Sequence, residues 1–286
     1  MEKETLKLKR HETFSIREGW LQKAINIIPN KIERFKKNDG PTYFGLGTNM
    51  CKSLKYWLLA TQIAEFKSQN SYLTDFGNIL YKYDRYLENI FSWWIIHINL
   101  VNNLNDSPIF SAIFNTDFNQ FEKETLFKIL KESLSLKYNL GADSSLESDI
   151  SIVLKSYCSE DNTNPEDNYI CPLSKLNLMK YKNRIFYRNS PLFHSLDYRI
   201  VYWSIIACMN KKIKNGTLDF NVEDIYNEKN NPIKILNISK STFFVYLDEM
   251  KKNNMISFIK TAGLNTVHIN HLISLNELFE SYFGGY

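Results

Sequence analysis

The sequence predicts a mainly α-helical protein, with N-terminal and C-terminal winged-helix units (helix-turn-helix plus short hairpin) around a helical middle region. Three observations carry that expectation. Apolar residues recur at helical spacing through most of the longer segments. A glycine-centred hairpin signal follows an amphipathic helix near each end. Between them, LENIFSWWIIHINLVNNL at 87–104 is apolar around most of its circumference, as a helix buried on several sides is. The expected boundaries are 1–90 for the N-terminal unit, 91–190 for the middle and 191–286 for the C-terminal unit.

At 286 residues, 44% hydrophobic and 14% aromatic, the chain can bury a sizeable core. That composition excludes general disorder. No apolar run approaches the roughly 20 residues that cross a bilayer. The opening MEKETLKLKRHE is charged, with no apolar signal core, so a cytoplasmic location is expected. Cys51, Cys158, Cys171 and Cys208 form no CxxC pair and have no histidine at zinc-finger spacing, so reduced thiols are expected rather than a metal site. Net charge is only +4, but it is uneven. Residues 1–60 hold 12 Lys/Arg and 6 Asp/Glu, whereas 105–170 hold 5 Lys/Arg and 12 Asp/Glu. A basic start and an acidic middle suit a polyanion on one face, although surface variation between domains gives the same imbalance.

In the first unit, Phe14, Trp20, Ala24, Ile27 and Ile28 predict a helix ending at Pro29. Lys31 to Lys37 read as a short basic helix, and NDGP at 38–41 as a turn. YFGLGTNMCKSLKYWLLA, 43–60, then gives a two-glycine turn and a helix for which Thr48 or Asn49 is the expected cap. Met50, Leu54, Trp57 and Leu58 form its apolar stripe. Asn49, Lys52, Ser53 and Tyr56, with Lys55 beside them, form a face with two lysines and short donors. Such a face suits a helix lying in a DNA groove, where lysines meet phosphate and Asn reads an adenine edge; an ordinary solvated face is the competing reading. A hairpin around Gly77-Asn78 is the expected first wing.

In the middle region, His97 is expected to be a satisfied core residue. Residues 108–118 read as irregular, Glu122 to Tyr138 as an amphipathic helix, GADSSLESD at 141–149 as punctuation, Ile150 to Tyr157 as a helix, and 159–169 as a polar loop. YKNRIFYRN, 181–189, reads as an exposed strand whose Arg184 and Arg188 suit a nucleic-acid backbone, or else keep an edge strand soluble. Tyr198 to Met209 is a core helix. At the end, a helix from 221, a helix over 238–256 capped by Ser239, and two strands over 256–270 repeat the opening architecture. Lys240 is the candidate backbone contact there, while Asp248 and Glu249 would repel phosphate.

Several segments together carry a family resemblance: RHETFSIREGW at 10–20, YFGLGTNMCKSLKYWLLAT at 43–61, LTDFGNILYKYDRYLE at 73–88 and KTAGL at 260–264. In this order, over nearly the whole chain, they resemble a bacterial family known as the domain of unknown function numbered four thousand and seven, of the SspB type. The family's HETF-x-x-R motif falls on His11, Glu12, Thr13, Phe14 and Arg17. Its glycine turn and Asn-Met fall on Gly45, Gly47, Asn49 and Met50. Thr48 stands where the family is often basic, and Asp84-Arg85 where it usually has Asp-Pro. The resemblance implies a DNA-engaging component of an operon that installs phosphorothioate in the DNA backbone and serves antiviral defence. It would nick or present duplex DNA for sulfur insertion, beside a PAPS-reductase-like sulfur-transfer protein. A non-catalytic adaptor or regulator that recruits that protein is the alternative.

Nicking requires a nucleophile, a proton path and charge stabilisation on phosphorus. No PD-x-D/E-x-K, HNH or P-loop pattern is present, so an ATPase is not expected. His11, Glu12 and Arg17 are the best local constellation: a proton-transfer group, a carboxylate and a bidentate phosphate holder. A divalent metal, Mg²⁺ or Mn²⁺, is expected if the chain nicks DNA.

Overall fold

The computed structural model describes residues 3–30, 40–67, 70–158, 170–261 and 264–284. The basic helix expected at 31–37, the loop at 159–169 and the tip of the last hairpin lie outside them. The protein is mainly helical, with small sheets, and divides into two compact units, Met1–Asn189 and Ser190–Tyr286.

The first unit opens with strand β1 (Glu4–Thr5) and an irregular segment. Gly19, at φ +82°, starts helix α1 (Trp20–Ile27), a backbone angle that favours glycine. Next come α2 (Gly40–Phe44) and α3 (Thr48–Ala60). The 38–41 turn is thus partly corrected, since Gly40-Pro41 begin a helix. The cap of α3 is Gly47, without a side-chain bond, and not Thr48 or Asn49.

Strands β2 (Ala64–Lys67) and β3 (Asn70–Leu73) pair antiparallel, followed by α4 (Asp75–Tyr83). The hairpin therefore precedes Gly77, which lies inside a helix capped by Thr74 Oγ1 accepting from Gly77 N at 3.1 Å. The reason for glycine is close approach: a Cβ there would sit 2.1 Å from the Ile63 carbonyl oxygen. Sequence alone does not separate this use of glycine from a turn.

Helix α5 (Ile90–Asn102) is the core of this unit, with Trp94, Ile95, Ile96, Ile98, Leu100 and Val101 wholly buried. His97 is buried as expected, its Nδ1 2.6 Å from the Tyr157 hydroxyl. Asp84 precedes α5. It accepts from the amides of Glu88 and Asn89 at 3.0 and 3.2 Å and from Ser92 Oγ at 2.6 Å. It caps the helix entry, and burial raises its carboxyl above the usual range.

The stretch read as irregular forms α6 (Pro108–Phe114), with proline at its first position. After β4 (Gln120–Phe121) come α7 (Lys123–Ser135), β5 (Tyr138–Asn139), which pairs parallel with β1, and α8 (Asp143–Tyr157). Helix α8 begins inside the segment read as punctuation. The expected single strand at 181–189 is a hairpin, β6 (Met179–Lys182) with β7 (Ile185–Arg188). Its turn residues Asn183 and Arg184 have φ of 54° and 65°. β4 adds to β7 as a third strand.

The second unit contains α9 (Tyr198–Lys214), β8 (Asp219–Asn221), α10 (Val222–Asn227), α11 (Pro232–Leu236), α12 (Lys240–Lys252), β9 (Ile256–Thr261), β10 (Leu264–Ile269) and α13 (Leu275–Phe283). The three strands form one antiparallel sheet in the order β8-β10-β9. As expected, Ser239 caps α12, accepting from Thr242 N at 3.0 Å, and Phe243, Leu247 and Met250 are buried. No helix among the described residues is long and apolar enough to cross a membrane.

Candidate nucleic-acid interface

The orientation of α3 follows from how its two ends are satisfied. Its last turn is buried, and buried carbonyls need donors. Asn103 Nδ2 donates to Leu59 O at 3.1 Å and Ala60 O at 3.2 Å, and Asn99 Nδ2 to Thr61 O at 3.2 Å. Gln62, at φ +59°, closes the helix as Ile63 N reaches back to Leu58 O at 3.0 Å. The first two turns remain at the surface, where Thr48, Asn49 and Lys52 are exposed. Lys52 Nζ lies 3.4 Å from Asn49 Oδ1, and no acid occupies the first turn. Lys55 is half-buried, its ammonium 4.6 Å from the Phe66 ring centroid.

The polar face expected of α3 is interrupted. Ser53 is 0% exposed and Tyr56 7% exposed. Ser53 Oγ and Trp57 Nε1 both donate to Phe14 O, at 3.5 and 3.0 Å. These side chains fasten the N-terminal segment to α3 and are removed from any groove-facing ridge. The helix is covered on two sides because that segment lies over what the apolar stripe alone leaves open.

His11, 2% exposed, is turned inward. Thr13 N–H donates to its Nδ1 at 3.1 Å, which leaves Nε2 as the donor to Asp149 Oδ1, 2.9 Å away on α8. The same oxygen accepts Lys9 N–H at 2.8 Å. Beside them Arg10 pairs with Asp106, and its guanidinium lies 5.4 Å from the Tyr56 centroid. Burial, then the Asp149 carboxylate, pushes the Tyr56 hydroxyl well above its usual range. The cavity that His11, Tyr56, Asp106 and Asp149 share is only about 10 Å³, at the lower limit for one water.

Of the three residues expected to be catalytic, His11 has its ring bonded to Asp149. Glu12 sits in a tight turn at φ +50°, donating its N–H to Lys9 O at 3.3 Å. Arg17 stacks on Phe14 and Trp20, at 5.2 and 5.7 Å from their centroids. Asp149 was missed because it lies in a segment read as punctuation. The available signal was Leu146, Asp149, Ile150 and Val153, a carboxylate inside a helical apolar stripe.

Arg188 is also committed to the fold. It donates to Phe114 O at 3.2 Å, Ile113 O at 2.5 Å and Thr116 Oγ1 at 3.1 Å, closing the end of α6. Burial pushes its guanidinium down to about 10. Arg184 is exposed at the tip of the β6–β7 hairpin. Lys240 Nζ lies 4.4 Å from the Tyr226 centroid and 3.9 Å from Glu223 Oε1.

Residues 8–283 match the family described as "Protein of unknown function (DUF4007)". The chain belongs to this family. The HETF-x-x-R motif of the DUF4007 chain thereby gains a structural account: it joins the N-terminal segment to α8 through His11 and to α3 through the Phe14 carbonyl. Comparison with curated proteins finds no match. Two solved structures share the fold, an SspB crystal structure and a magnesium ion-bound SspB crystal structure. Each has a TM-score of 0.84 and 21% identity, over 99% of this chain and 89% of the other. Among the described residues of this DUF4007 chain, no three His, Cys, Asp or Glu side chains are grouped to hold a metal ion.

Proposed function

We propose that this chain is a DNA-binding component of a bacterial DNA phosphorothioate-modification and anti-phage defence system. It presents duplex DNA for sulfur insertion by a PAPS-reductase-like partner. Both ends use winged-helix units: α3 with the β2–β3 hairpin, and α12 with β9–β10. DUF4007 membership and the fold shared with SspB support this reading.

The observation that carries it is the exposed start of α3. Lys52 has a neutral neighbour in Asn49 and, among the described residues, no carboxylate. Several other surface cations are matched by acids, as in Lys131–Asp143 at 2.6 Å and Lys260–Asp248 at 3.0 Å. A cation without a local acid keeps its charge for a phosphate. Asn49, Lys52, Lys55 and Arg184 are the proposed contacts of the first unit, and Lys240 a weaker one of the second because Glu223 lies near it.

Presentation of DNA is favoured over hydrolysis at His11, since Thr13 and Asp149 engage both ring nitrogens. Gel-shift titration with duplex DNA, alongside plasmid relaxation in Mg²⁺ or Mn²⁺, tests both parts. Salt-sensitive binding without nicking is the expected result. Absence of duplex binding at low salt contradicts the proposal, and nicking abolished by His11→Ala in a folded protein contradicts the role given to His11.

A further inference from the structure

The β6–β7 hairpin forms one wall of a cleft of about 600 Å³ that also borders α7 and α8. It lies inside the first unit and shares no lining residue with α3 or the His11 cavity. The wall is aromatic. Tyr181 is 41% exposed, its centroid 4.5 Å from Phe186, which stacks in turn on Phe121 at 5.7 Å and 14°.

Charges of both signs line the same cleft. Arg184 comes from the hairpin tip and Lys155 from α8, and Glu122 and Glu124 from the start of α7. All four are exposed, and none forms an ion pair among the described residues. Neighbouring Lys123 is different, held by Glu147 at 3.2 Å. A ligand matched to this cleft has a flat face, an anionic group and an N–H donor. An unpaired nucleotide has all three. Its base stacks on an aromatic ring, its phosphate meets Arg or Lys, and an exocyclic amine donates to a carboxylate. A purely acidic peptide would leave Glu122 and Glu124 facing like charge.

We propose that the cleft between the β6–β7 hairpin, α7 and α8 takes one unpaired, amine-bearing nucleotide of a DNA strand. This rests on the reading of the chain as a DNA-binding protein. A paired base exposes neither face, so the strand is locally opened, or the nucleotide turned out, before it enters. Tyr181 supplies the stacking surface, Arg184 and Lys155 receive phosphate, and the carboxylates separate cytosine, which carries an amine, from thymine, which does not.

Fluorescence anisotropy of the full chain with short oligodeoxycytidylate, oligothymidylate and duplex probes tests the proposal. The cytosine probe is expected to bind tighter than the thymine probe, and Glu122→Gln with Glu124→Gln to remove that preference. Tyr181→Ala should weaken the cytosine probe about tenfold, the loss of one stacked base, with duplex affinity unchanged. Arg184→Gln should weaken it too, while keeping an ordinary side chain at the positive-φ turn. Unaltered melting curves certify the folds of these surface variants. Wild-type binding of the single-stranded probes by Tyr181→Ala, with duplex binding intact, overturns the cleft alone. Loss of duplex binding in the wild type overturns the broader reading instead. Competition by deoxycytidine monophosphate as effective as by the oligomer overturns the strand assignment. Tyr181-dependent binding of a polyglutamate peptide overturns the nucleotide in favour of a protein ligand.

Discussion

Asp149 Oδ1 holds His11 Nε2 at 2.9 Å, and through it the segment that begins the DUF4007 motif is fastened to α8. Both side chains are almost fully covered. Removing one leaves the other a buried polar group without its partner, which typically costs about 1–3 kcal/mol. His11→Ala is expected to lower stability by that amount in urea unfolding. Asp149→Ala should cost more, because Lys9 N–H also loses its acceptor. Unchanged midpoints for both would remove the pair from the fold's supports.

Gly77 packs α4 against the Ile63 carbonyl, and a methyl group has no space there. Gly77→Ala should destabilise by about 1–3 kcal/mol or more through overpacking, visible as a lower melting temperature. A gain in stability, as expected where alanine merely improves a helix, would contradict the close approach.

Arg188 closes the end of α6, so Arg188→Met should cost about 1–3 kcal/mol in stability and leave duplex affinity unchanged. Weaker DNA binding with wild-type stability would return Arg188 to the interface.

Ser274 and Glu277 form a capping box at α13: the Ser274 hydroxyl and amide donate to Glu277 Oε2 at 2.6 and 2.7 Å. These bonds hold the Glu277 carboxyl below its usual range. A carboxyl depressed in the folded state contributes stability that is present above its unfolded pKa and lost as pH falls through the folded one. NMR titration should therefore place Glu277 below an ordinary glutamate, and Ser274→Ala should move it upward. An ordinary midpoint in the wild type would show that the box does not persist in solution.

The long periodic segments were legible in the sequence. The all-round apolarity of 90–102 identified the core helix, and Phe243, Leu247 and Met250 gave the buried stripe of α12. Where one residue type has two uses, sequence pattern stopped short. Gly77 read as a turn because close backbone approach leaves no periodic trace. Ser53 and Tyr56 read as exposed because an irregular segment, which carries no period, covers their side of α3. The 181–189 stretch read as one strand because Asn183-Arg184 lacks the glycine that usually marks a tight hairpin. His11 was singled out as a catalytic candidate from its local motif, whereas the residue it bonds, Asp149, lies 138 residues away. Spacing rules act locally and reach no such pair.

The salt dependence of duplex affinity reports on whether the exposed start of α3 meets phosphate. Lys52→Ala with Lys55→Ala should reduce the slope of log K against log salt by about one to two phosphate contacts, roughly 0.9 each, while leaving the melting curve unchanged. An affinity and slope equal to wild type at every salt concentration would contradict the placement of DNA on this helix.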